Sequence, residues 1–253
     1  CYPGVGDVLN EYKIACTTCA AGTCRLRDIV EIHNLPGAVE ERLMEKIALA
    51  ISPAGGLKLP GSRRNPAPAA GGIKYSPPLK RLVDEHALIK RLLALIPRLV
   101  AGVDFGTDEG AELASGALMF IRTYADKYHH AKEEDILFKH FDENLDVIKA
   151  MLQDHVTGRG HVKDAASALA GKNGAAVAAH LLAYHGLLTE HIKKEDEILY
   201  PWIDRSLSIT QIGELFSKFI EADEKIGAEI VSRQQKFVEE AERKYGDYKE
   251  NTK

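Results

Sequence analysis

The feature that most constrains this chain is a ten-residue stretch that occurs twice. His129 to Phe138 reads HHAKEEDILF, and His191 to Pro201 reads HIKKEDEILYP. Aligned on ILF and ILY, the copies share His-x-x-x-Glu: His129 with Glu133, and His191 with Glu195. Residues four apart lie one above the other on a helix, so each imidazole sits beside its carboxylate on one face. Imidazole and carboxylate together suit iron, manganese or zinc. Two further histidines lie in helical context, His86 in LVDEHALIKRLL and His155 in MLQDHVTGRGHV. Four helices would bring four His and two Glu to one bundle centre, a pattern known from carboxylate sites with two metals.

The segments YADKYHHAKEEDILF, MLQDHVTGRGHV and LLTEHIKKEDEILYP resemble the hemerythrin-like (HHE cation-binding) family, over Pro78 to Ser208. The order His, His-x-x-x-Glu, His, His-x-x-x-Glu is similar to the iron-cluster-repair branch of that family. Oxygen-carrying hemerythrins have a second His one turn after the third-helix His, where this chain has Arg159, and Asp in place of the last Glu. The resemblance therefore implies a di-iron centre held by His86, His129, Glu133, His155, His191 and Glu195, but not simple reversible oxygen carriage. In that reading the imidazoles terminate two non-haem irons and Glu133 and Glu195 bridge them. Open positions on iron would take oxygen, peroxide or nitric oxide, which favours iron over zinc.

Neighbouring residues are weighed against plainer roles. His130 should point roughly 100° away from His129, to the surface or behind the ligands. Pairing of His130 with Glu134 is the alternative register. Arg159 is placed either to hold a ligating Glu or to be a plain surface residue, and Tyr184 and His180 either to line the bundle interior above the metals or to serve a structural role, while His161 and His185 are expected to be exposed.

All four cysteines, Cys1, Cys16, Cys19 and Cys24, fall in the first 24 residues. Such a cluster reads as a second metal or cluster site, iron–sulfur or zinc, or as redox thiols. Residues 1–52 then form a small helical module, with RLRDIVEIH and VEERLMEKIALAI as helices. It resembles the small cysteine-bearing modules that precede hemerythrin-like domains. The stretch 53–77, rich in Pro and Gly, is a linker. Residues 78–253 are expected to hold an antiparallel four-helix bundle: Leu79 to Ile96 (or Ala101 with a kink at Pro97), Thr107 to Phe141, Asn144 to Ala170, and Asn173 to Arg205. A fifth helix, Thr210 to Tyr245, packs outside it, and Gly246 to Lys253 frays.

The fold class is thus all-α. A net charge of −4 gives no reason to expect nucleic acid, and no apolar run has the roughly 20 residues of a membrane span. The sequence shown has no signal peptide, so a cytoplasmic location is expected; a lipid-modified Cys1 is the less favoured alternative. Expected partners are a small diatomic ligand or peroxide and a redox or iron–sulfur protein, and homodimer formation stays open. Three functions compete: a di-iron oxidoreductase of stress defence, a repair or iron-donor protein for iron–sulfur clusters, and a sensor or store that does not turn over.

Overall fold

A computed structural model describes residues 2–12, 37–53, 57 and 75–246. The four cysteines, the expected helix at 25–33 and most of the expected linker lie outside those residues. The described residues are helical, with no strand among them. None of their helices is long and apolar enough to cross a membrane.

Helices α1 (Pro3–Glu11) and α2 (Gly37–Ile51) pack on each other around Leu9, Leu43 and Ile47. The bundle follows. Helix α3 is Pro77–Gly102, and α5 is Asp146–Ala170. Helix α4 is composite: α-helical over Asp108–Phe120, π-helical over Ile121–His130 and Glu133–Leu137, and closed by a 3-10 turn, Phe138–His140. Helix α6 is composite too, with Gly174–Lys194, a π turn Glu195–Leu199, and Tyr200–Ser206. Contacts run in a ring, α3 to α4 to α5 to α6 and back to α3. Short connections at 103–107, 141–145 and 171–173 make sequence neighbours antiparallel.

Local chemistry explains the boundaries. The Thr107 side chain accepts a hydrogen bond from the Gly110 amide at 3.1 Å, and Asp108 and Glu109 place negative charge in the first turn of α4. Asn173 caps α6 in the same way through the Ala176 amide. Pro97 does not break α3, which runs unbroken past it; the residue is exposed, so its missing amide faces solvent. The expected single fifth helix is two: α7 (Ile209–Ile226), opened by a Ser208–Gln211 capping box, and α8 (Ala228–Tyr245). Gly227 separates them at φ +84°, a backbone conformation that a helix cannot use.

The core is in two parts with a polar band between them. One apolar plug contains Ile89, Leu92, Ile121, Tyr128, Val162, Leu188 and Ile192. The other contains Leu79, Leu82, Leu137, Met151, Leu199 and Ile203, covered by Leu215 and Phe219 of α7. Along α3, α4 and α5 the candidate ligands fall between these plugs, as His86 does between Leu82 and Ile89 and His155 between Met151 and Val162; on α6, Glu195 does so between Ile192 and Leu199. Apolar packing on both sides fixes their height in the bundle.

Close packing at the α4 entry gives a stability test. A Cβ on Gly110 would lie 2.1 Å from the Asp104 carbonyl oxygen, whereas one on Gly213, in α7, would meet nothing. Gly110→Ala should lower unfolding stability by about 1–3 kcal/mol. Gly213→Ala should raise it by up to about 1 kcal/mol through helix propensity. Urea unfolding of both variants checks the pair; equal effects would contradict this packing.

Candidate metal centre

Four helices deliver seven buried side chains to the polar band. His86 comes from α3; His129, His130 and Glu133 from α4; His155 from α5; His191 and Glu195 from α6. They form two clusters able to hold a cation, His130–Glu133–His155–His191 and His86–His129–Glu195. The π turns coincide with them. His129 and His130 end one, and Glu133 and Glu195 each begin another. Wide turns of this kind often mark functional sites.

The histidines meet in pairs through their Nε2 atoms. His86 and His129 are 2.8 Å apart, and His155 and His191 3.0 Å. Each Nδ1 faces a carboxylate: His86 meets Asp196 at 2.7 Å, His129 meets Glu85 at 2.9 Å, His155 meets Glu134 at 2.7 Å, and His191 meets Asp154 at 3.3 Å. A carboxylate accepts, so each Nδ1 donates, and the Nε2 lone pairs are left to face one another. Two lone pairs at that distance repel unless a cation or a proton lies between them. A carboxylate behind the ligating imidazole is the usual partner of a histidine that holds metal.

The glutamates join the two pairs. Glu195 places Oε2 3.3 Å from His86 and Oε1 3.1 Å from His191. Glu133 places Oε2 3.8 Å from His129 and 3.5 Å from His155. Its Oε1 accepts a short hydrogen bond from the Tyr200 hydroxyl. Glu133 Oε2 and both oxygens of Glu195 are buried with no hydrogen-bond donor aligned on them. Stranded carboxylate oxygens in an apolar bundle are costly. A cation between each histidine pair would satisfy them, so this donor set fits metal.

Burial and the surrounding carboxylates pull the basicity of the four imidazoles in different directions. Burial lowers the basicity of His191, but Glu195 and Asp154 outweigh it and push the group up to about 9. His86 is raised against burial by Asp196 and Glu195. Burial lowers their partners His129 and His155. Within each pair, then, one imidazole is the more basic and the other the less. The carboxylates split likewise: burial, then Glu195, raises Glu133, while against burial His191 and His86 lower Glu195.

Residues 78–203 match the family model of the hemerythrin HHE cation binding domain. The chain carries an HHE domain. No curated protein and no solved structure matches the chain.

The HHE domain brings His86, His129, Glu133, His155, His191 and Glu195 into contact. Other expected positions come out differently. His130 does not turn away: it is buried and stacks on His155, ring centroids 4.0 Å apart. The centre is wide at this level, with α3 facing His129 and α5 facing His130, so two successive residues of α4 both point inward. Glu134, half of the alternative register, lies outside both clusters and supports His155. Arg159 holds Glu134 at 2.6 Å and Asp126 at 2.7 Å. Tyr184 is buried among the residues of the first apolar plug and belongs to neither cluster. His180 lies beside His161, with centroids 5.9 Å apart, and belongs to neither cluster. His161 and His185, expected to be exposed, are half-buried.

Sequence reasoning missed the outer support. Lys132 is buried, with its ammonium 3.7 Å from the centre of the Tyr128 ring. It donates to Glu85, the carboxylate behind His129, and to Asp223 of α7 at 2.9 Å. Asp223 also pairs with Arg81. Thus α7, outside the matched segment, is tied to His129 through Asp223, Lys132 and Glu85. Burial raises Glu85 to about 7, although Lys132 pulls the other way. The available signal was Lys132 itself, one residue before Glu133 on a face that must be buried.

The Asp126–Arg159–Glu134 bridge gives a pH test. Against burial, His130 and Arg159 hold Asp126 down at about 2, and His155 and Arg159 do the same for Glu134. Their ordinary values are 3.8 and 4.5. Folded values below unfolded ones mean the contribution is complete above the ordinary range and is lost as pH falls towards 2. Denaturant midpoints measured from pH 5 to 2 should fall more steeply for the wild type than for Arg159→Ala. Parallel curves would show that the bridge contributes nothing.

Proposed function

We propose that the HHE domain holds two non-haem iron ions and binds or reacts with oxygen, peroxide or nitric oxide, in defence against oxidative or nitrosative stress. One observation carries the reading: each glutamate faces one histidine of each pair, so the two cation positions are joined by both carboxylates. Imidazole and carboxylate donors together suit iron. When bound, iron supplies a redox couple and a coordination position open to a small molecule.

The protein's own residues do the rest. Asp196, Glu85, Glu134 and Asp154 fix the four imidazoles with Nε2 inward. Glu195 offers two free oxygens, one towards each pair. Glu133 offers only Oε2, because Tyr200 holds Oε1. The apolar plugs above and below exclude water, which strengthens every charge interaction inside. Electrons would come from a redox or iron–sulfur protein partner, and a cytoplasmic setting belongs to the same reading.

A second reading is an iron donor or repair protein for damaged iron–sulfur clusters. The order of the ligands and Arg159 at the position of a second histidine favour it. Restoration of activity to a damaged iron–sulfur enzyme, set against consumption of oxygen, peroxide or nitric oxide, separates the two.

Anaerobically loaded protein should carry about two irons per chain, since two-metal sites of this kind need both ions to neutralise the clustered carboxylates. Glu133→Ala and Glu195→Ala should each lose both irons, and His185→Ala should keep them, by metal analysis and Mössbauer spectra. Loading should also raise the melting temperature, because metal binds only the native state. Wild-type protein that takes up no iron and melts unchanged would end this reading.

A further inference from the structure

One cavity, of about 140 Å³, reaches the metal centre. Its walls come from α4, α5 and α6 and include none of α3. His130 and His155 lie at its inner end, and Arg122 and Lys163 are exposed residues of its lining. No residue of the His86–His129–Glu195 cluster lines it. The cavity therefore meets the centre on the side of the His130–Glu133–His155–His191 cluster.

Two features mark it as a place for a guest. The Tyr184 side chain lines the cavity and is 3% exposed, yet its hydroxyl has no hydrogen-bond partner. A buried hydroxyl left without a partner is destabilising, and a phenylalanine would pack there without that cost. Gly158 lies opposite: a Cβ there would come within 3.3 Å of Leu188 Cδ2 and 3.5 Å of Tyr184 Cε2. Any larger side chain at 158 would enter the space. A volume of about 140 Å³ is well below the roughly 300–1,000 Å³ of pockets for larger organic ligands.

We propose that this cavity is the binding site for a small molecule of up to about six heavy atoms, which reaches the centre at the His130–Glu133–His155–His191 cluster and accepts a hydrogen bond from Tyr184. The inference rests on the metal reading above and deepens it. It assigns the ligand to one of the two cation positions, with His130 and Tyr184 as the groups around it.

Azide is the probe, titrated into iron-loaded protein and followed by visible absorption, with iron content measured on each sample. Gly158→Leu should retain wild-type iron and weaken azide binding by about tenfold or more. Tyr184→Phe should retain iron and weaken it by about three- to tenfold. Ala94→Leu, which lines a separate cavity between α3 and α8, should change neither. Should Gly158→Leu fail to fold or to take up iron, Tyr184→Phe decides alone. Wild-type azide affinity in an iron-replete Gly158→Leu or Tyr184→Phe would overturn the cavity assignment and leave the metal reading standing. Wild-type protein without iron would overturn both.

Discussion

The structure depends on a conflict of charge that a cation between the histidines would relieve. Four imidazoles turn their Nε2 atoms towards each other, because four carboxylates hold their Nδ1 atoms from behind. Two more carboxylates enter the same space, with three oxygens lacking a donor. In water such a set would be unremarkable. Between two apolar plugs it is costly, since neither repulsion nor desolvation is screened. The cluster is thus a sink of stability unless loaded, and packing elsewhere must hold it together.

Much of that packing is asymmetric, although the two motif copies are alike. At the position after Ile-Leu, one copy has Phe138 and the other Tyr200. Only Tyr200 can donate a hydrogen bond, and it engages Glu133. On the α3 side, Lys132 closes the centre with Glu85 and Asp223. On the α5 side, Arg159 binds Glu134 and Asp126, and a cavity remains beneath Tyr184. The two candidate clusters consequently have different surroundings, and only the His130–Glu133–His155–His191 cluster adjoins the cavity. The pair α7 and α8 takes part, because Asp223 completes the enclosed side and Arg91 of α3 pairs with Glu242 of α8.

The sequence by itself determined the helices and the six principal candidates. Apolar residues recurring at helical spacing place the helices. Caps at Thr107, Asn173 and Ser208 start three of them. Repetition of His-x-x-x-Glu forces each imidazole and carboxylate onto one face, because four residues make about one turn. Those are local properties, and local rules reach them. Tertiary structure decided the rest. A turn of roughly 100° per residue sends His130 away from His129, and only the position of α5 shows that both directions lead inward. The π turns at the ligand residues, the carboxylates that accept from the Nδ1 of each histidine, and the link from Asp223 through Lys132 and Glu85 to His129 depend on how the helices pack. No spacing rule within one helix encodes a contact between helices. The cavity under Tyr184 is the clearest case: it exists because Gly158 has no side chain where three helices meet, and glycine in a sequence does not say what it makes room for.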